Sequence, residues 1–150
     1  MWQVVRDRTE VKEIVPVPNK ILIVDDSPAE GRLMQSYLEQ AGYWAVSLAD
    51  PALIEQMLDV ERPSLILLDV VMPGRNGFQA CRELKSQPDY APIPIVLVTS
   101  KSTQSDQFWG REQGAQGYVV KPFTAEQLIE EVQRVLGKPQ STATGVVPGR

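Results

Sequence analysis

The chain has 150 residues, 43% hydrophobic and 23% charged, with a net charge of −4, no histidine and one cysteine. This is the size and balance of one ordinary globular domain, and its scattered basic residues argue against a nucleic-acid or anionic-membrane face. Histidine-based acid–base chemistry, Ser-His-Asp and Cys-His pairs and a phosphohistidine are all excluded, as are an internal disulfide and a thiolate metal cluster.

Residues 1–19 form an N-terminal extension with weak apolar periodicity, closed by Pro16, Pro18 and Asn19; they read as a short docked segment or a flexible leader. Arg6, Asp7, Arg8 and Glu10 stand where a signal peptide needs apolar residues. No apolar run approaches the roughly 20 residues of a membrane span, so a cytoplasmic protein without membrane insertion is expected. The core domain spans about residues 20–138. Its first strand is Ile21 to Val24, followed by Asp25 and Asp26.

Ser27-Pro28-Ala29-Glu30 reads as a capping box with proline at the first helical position. The helix it opens has Leu33, Tyr37, Leu38 and Ala41 on its inner face and stops at Gly42. Tyr43 to Leu48 is the second strand. Asp50-Pro51 opens a second helix lined by Leu53, Ile54, Met57 and Leu58. After Pro63 a third strand, Leu65 to Leu68, ends in Asp69. Met72-Pro73-Gly74 turns the chain into a third helix from Asn76 or Gly77 to Gln87, on whose apolar face Cys81 is a core residue.

Pro88, Pro92 and Pro94 make a loop before the fourth strand, Ile95 to Thr99. Ser102 to Gln113 reads as a fourth helix, in which one of Phe108 and Trp109 faces the core and the other a partner. Tyr118-Val119-Val120 is the fifth strand and leads to Lys121-Pro122. Thr124-Ala125-Glu126-Gln127 caps a last helix lined by Leu128, Ile129, Val132, Val135 and Leu136. Pro139 to Arg150, rich in Pro, Gly, Ser and Thr, reads as a disordered tail. Strict alternation with continuously apolar strands implies an α/β fold: a doubly wound parallel sheet of five strands with five helices.

In such a sheet the carboxyl ends of the strands share one edge, where ligands bind. Asp25, Asp26, Asp69, Thr99 and Lys121 all stand at such ends. Clustered carboxylates repel one another, and a hard divalent cation relieves this. Mg²⁺ suits an all-oxygen donor set with retained waters. Asp26 and Asp69 can ligate directly, Asp25 directly or through water. Lys121, Thr99 and Mg²⁺ can then each take one phosphoryl oxygen, with small Ser100 leaving access, which points to phosphoryl transfer onto Asp69. Taken singly, either aspartate at positions 25 and 26 could be a helix N-terminal charge and Lys121 a solvated lysine; together they are hard to explain that way.

Four fragments carry a resemblance: Ile23-Val24-Asp25-Asp26-Ser27, Leu67 through Gly77, Val98-Thr99-Ser100-Lys101, and Tyr118 through Phe123. Over roughly residues 20–137 the chain resembles the CheY-like receiver domain of two-component response regulators. The resemblance implies strand order 2-1-3-4-5 (flavodoxin-like), the Val71 backbone carbonyl as a further metal ligand, Tyr118 as an aromatic switch working with Thr99, and a cis bond between Lys121 and Pro122. It also implies a stand-alone switch, a monomer or weak dimer. Such a switch accepts its phosphoryl group from a histidine kinase or phosphotransfer protein and signals to a downstream protein through the fourth helix, fifth strand and fifth helix. It is a phosphoacceptor, not an enzyme acting on other substrates, and no output domain fits in the chain. Asp106 through Gly110, with Val71 and Lys101, looks more like PilH-type and phototaxis or motility receivers than transcription-factor receivers. Two rivals remain. A haloacid-dehalogenase-type phosphatase needs Asp-x-Asp, which adjacent Asp25 and Asp26 do not provide. A flavodoxin-like carrier needs a phosphate-cradling loop where this chain puts two carboxylates.

Overall fold

The computed structural model describes residues 14–139, so the expectations for residues 1–13 and for the tail beyond Pro139 lie outside the described residues. The elements run β1 (Lys20–Val24), α1 (Pro28–Gln40), β2 (Trp44–Leu48), a 3₁₀ turn (Pro51–Leu53), α2 (Ile54–Glu61), β3 (Leu65–Asp69), α3 (Gly77–Lys85), β4 (Ile95–Thr99), α4 (Gln104–Glu112), β5 (Gly117–Val120) and α5 (Ala125–Leu136). The strands form one parallel sheet in the order β2-β1-β3-β4-β5.

Every residue of β1, β3 and β4 is buried because side chains alternate between two covered faces. Leu22, Val24, Ile66, Leu68, Ile95 and Leu97 pack with Ile54, Leu58, Cys81 and Leu84 of α2 and α3. Ile21, Ile23, Leu65, Leu67, Val96 and Val98 pack with Met34, Leu38, Leu128 and Val132 of α1 and α5. Cys81 is buried as expected, and burial pushes its thiol up to about 11. The described part of the extension lies against the domain: Val17 exchanges hydrogen bonds with Arg62 and Ser64, and Ile14 packs on the α2 and α3 layer.

Three helix faces differ from the sequence reading. On α1 the buried stripe is Gly31, Met34 and Leu38, and Leu33 is exposed. The cause is Gly31, where a Cβ would lie 2.4 Å from Ser47 Oγ; α1 makes its close approach to β2 there. Leu53 is also exposed, because Asp50-Pro51 opens a 3₁₀ turn and α2 begins one residue later. On α4, neither Phe108 nor Trp109 faces the core; both are exposed. The inward position is Gly110, where a Cβ would lie 2.9 Å from Leu97 and 3.0 Å from the Tyr118 ring, so the helix backbone itself fills that space. The ends of α3 and α4 also fall inside the expected spans, since Asn76 and Thr103 take the N-cap positions and accept the N–H groups of Gln79 and Asp106.

Gly77 fixes how α3 meets the end of β3. Its N–H donates to Val70 O at 2.8 Å, and a Cβ there would lie 2.2 Å from Asp69 O. That neighbour is backbone and cannot swing aside. Gly77→Ala should therefore cost about 1–3 kcal/mol, as overpacking does, measured by denaturant unfolding; an unchanged unfolding midpoint would count against this packing.

Candidate functional site

The sheet delivers the chemistry to one edge. Register pairs Val24 with Leu68, Asp69 with Val98, and Thr99 with Val120. Asp25 and Asp69 thus leave adjacent strands at the same level, with Thr99 one register position and Lys121 two positions further along on the next two strands. Asp25, Asp26 and Asp69 place one carboxylate oxygen each within 4.8 Å of one another. Asp25 and Asp69 are buried and Asp26 is exposed.

Asp25 uses both oxygens: Oδ1 accepts the Ser27 N–H at 2.9 Å and Oδ2 accepts Lys121 Nζ at 3.0 Å. Lys121 Nζ also lies 3.5 Å from Asp69 Oδ2. The second oxygen of Asp69 accepts the Val71 N–H at 3.3 Å. Thr99 is fully buried; its hydroxyl oxygen accepts the Lys101 N–H at 3.2 Å and its carbonyl accepts the Lys121 N–H at 2.8 Å. Lys121 and Pro122 are joined by a cis peptide bond, as the resemblance implies. Tyr118 packs partly buried against the α2 and α3 layer, and its hydroxyl donates to Lys101 O at 2.7 Å.

Sequence reasoning missed Glu30. Ser27 caps α1 by accepting the Glu30 N–H at 3.3 Å, but the reciprocal half of the expected capping box does not form. Asp25 takes the Ser27 N–H instead, and the Glu30 carboxylate reaches across to Lys121. By contrast, Thr124 and Gln127 form both halves of theirs. The available signal for Glu30 was its place in the first turn after Asp26, on the helix end facing the strand edge.

Electrostatically the site is short of cations. Burial is the main cause that pushes the Asp69 carboxyl up to about 6; Asp25 and Asp26 add to it, while Lys121 and the Val71 N–H oppose it. Burial works against the Lys121 ammonium, yet Glu30, Asp25 and Asp69 carry its pKa up to about 12. A cluster of three carboxylates answered by one lysine suits a hard divalent cation bound through oxygen. The donor set fits Mg²⁺: Asp26 is exposed, Asp69 offers an oxygen within 4.8 Å of it, and Asp25 is already engaged through both oxygens.

These features match known proteins. A family model described as the response regulator receiver domain matches residues 21–133. The chain is 38% identical over 117 residues to Protein PilH of Pseudomonas aeruginosa, covering 78% of this chain and 97% of that protein. It is 36% identical over 122 residues to the transcriptional regulatory protein GltR of the same organism; this covers 81% of the chain but only 50% of that longer relative. Among solved structures, the chemotaxis protein CheY4 of Vibrio cholerae superposes with a TM-score of 0.73 at 33% identity, over 78% of this chain and 98% of that one. The receiver domain of the Pseudomonas aeruginosa sensor histidine kinase PA1611, solved with a magnesium ion coordinated in its active-site cleft, gives 0.71 at 28% identity, over 81% and 99%.

The raised Asp69 pKa has a measurable sign. The folded chain holds that proton more tightly than the unfolded one, whose value is near 3.8, so the metal-free fold gains stability as pH falls from above 6 toward 4. At about 1.36 kcal/mol per pH unit the ionised Asp69 costs on the order of 2–3 kcal/mol at neutral pH. In chelator, Asp69→Asn should be more stable than wild type at about pH 7.5, with the gap about half as large at about pH 5 and closed only as the pH falls to the unfolded value. Denaturant unfolding checks this; an equal gap at both pH values rejects it.

Proposed function

Because the chain belongs to the response regulator receiver domain family, we propose that it is a phosphorylation switch whose acceptor is Asp69. The observation that carries this reading is the meeting of Asp25, Asp26 and Asp69 within 4.8 Å, with Lys121 beside Asp69. An Asp69 carboxylate oxygen attacks the donor phosphorus, the bond from phosphorus to the donor breaks, and an acyl phosphate results. The protein's task is positioning and charge neutralisation. Asp26, Asp69 and the Val71 carbonyl would hold Mg²⁺, with Asp25 joining directly or through water. The bound ion supplies charge neutralisation at one phosphoryl oxygen. Lys121 shifts from Glu30 toward a second oxygen, and the Thr99 hydroxyl turns from the Lys101 N–H to a third.

The donor is a histidine kinase or phosphotransfer protein, since this chain has no histidine of its own. The receiver unit spans about residues 20–138, flanked by the extension 1–19 and the tail 139–150. It works in the cytoplasm as a monomer or weak dimer, without DNA binding. Among the described residues no helix is long and apolar enough to cross a membrane. The role of the chain is motility, phototaxis or chemotaxis control, a reading in line with the likeness to PilH and to a chemotaxis protein. Output passes through α4, β5 and α5: Thr99 moves toward the phosphoryl group, Tyr118 follows into the space vacated, and the surface bearing exposed Phe108 and Trp109 changes.

Incubation with acetyl phosphate and Mg²⁺ should give single-site, acid-labile labelling that Asp69→Asn abolishes and chelator prevents. Labelling that survives either treatment would sink the assignment. Beryllofluoride with Mg²⁺ should shift the NMR signals of Thr99, Tyr118 and Trp109. Silence at all three while Asp25 and Asp26 respond would reject the switch and leave the acceptor intact.

A further inference from the structure

The loop joining β3 to α3, residues 70–76, sits beside Asp69 and is tied to the rest of the domain by the buried Val70 and by two further side chains. Met72 is buried in the layer under α2 and α3. Arg75 makes the other tie. Its Nη1 and Nη2 donate in parallel to the two carboxylate oxygens of Glu55 at 3.0 and 2.9 Å. Its Nε donates to Glu83 Oε1 at 3.0 Å, and Nη1 also reaches Pro51 O at 3.0 Å. Gln87 and Gln79 donate in turn to Glu55 and Glu83. The Arg75 side chain is only 15% exposed. A planar guanidinium fork suits such a junction, and a lysine could not reproduce it. Burial by itself pushes the Glu55 carboxyl up, yet the Arg75 hydrogen bonds hold it below its ordinary value.

The contacts join the segment that follows β2 to α3. Pro51 and Glu55 follow β2, whose last residue, Leu48, accepts the Asp25 N–H at 3.1 Å. Glu83 lies on α3, which Gly77 presses against the end of β3. We propose that Arg75 is a positioning residue for the metal and phosphoacceptor site, clamping the loop that carries Val71 to α2 and α3. This rests on the reading of Asp69 and Val71 given above. Groups that orient metal ligands without touching the ion commonly carry about 10- to 100-fold of affinity.

The test is Mg²⁺ titration calorimetry on wild type, Arg75→Ala and Arg75→Lys, with amide hydrogen exchange of Val71 and Gly77 in metal-free protein. Both variants should bind Mg²⁺ about tenfold more weakly and exchange these amides faster. The sign is diagnostic: deleting a cation near the site, by charge alone, favours binding of another cation. If Arg75→Ala does not fold, Glu55→Gln removes the same bidentate pair and is read by amide exchange in metal-free protein, which should be faster at Val71 and Gly77, because losing an anion weakens cation binding by charge alone. Wild-type protein that takes no Mg²⁺ would sink the reading of the site, not the clamp, because exchange is read without metal. Unchanged exchange, or unchanged affinity in variants of an Mg²⁺-binding wild type, overturns the clamp.

Discussion

Repulsion among carboxylates gathered on one sheet edge is the constraint around which the rest of the domain is arranged. Two unit charges about 5 Å apart repel by about 3 kcal/mol at an effective dielectric near 20. Asp25 and Asp69 are both buried and neither can retreat, because each continues a strand packed on both faces. Lys121 offsets part of this from the neighbouring side of the sheet, and a proton on Asp69 or a bound divalent cation offsets the remainder. Burial is the main cause of the raised Asp69 pKa, with the neighbouring carboxylates adding to it, and the same clustered oxygens suit a hard cation.

Rigidity and adjustability are divided accordingly. The strands β1, β3 and β4 are buried along their whole length and hold the acids in register. The groups proposed to move, Lys121, Thr99 and Tyr118, lie on the β4 and β5 side. There α4 meets the sheet through Gly110 instead of a bulky side chain. Tyr118 is held by a hydroxyl bond to Lys101 and by the close backbone of α4. That contact also turns Phe108 and Trp109 outward, placing two aromatic rings on the surface next to the proposed switch.

Much of this was legible in the sequence. The alternation of apolar strands with capped helices, the positions of Asp25, Asp26, Asp69, Thr99 and Lys121 at strand ends, and the burial of Cys81 all depend on local pattern. Period and punctuation along the chain are enough for such features, because a parallel sheet places every strand end on one edge. Helix orientation was less legible. Leu33, Leu53, Phe108 and Trp109 are as apolar as the residues that are buried, and hydrophobicity alone cannot choose among adjacent helical positions. The choice was made by Gly31 and Gly110, whose missing side chains set where each helix can approach the sheet.

The sequence by itself determined the element order, the acidic edge and the chemistry open to it, because those follow from residue types at positions governed by short-range periodicity. Only the tertiary structure decided which long polar side chains meet. Glu30 reaches Lys121 across 91 positions of sequence, and Arg75 joins Glu55 to Glu83. A Ser-x-x-Glu box leaves open whether its glutamate returns to the cap or leaves for a distant ammonium, and an arginine in a turn is equally noncommittal. The outcome depends on which partners the fold brings within hydrogen-bond distance while burial raises the cost of leaving any of them unpaired.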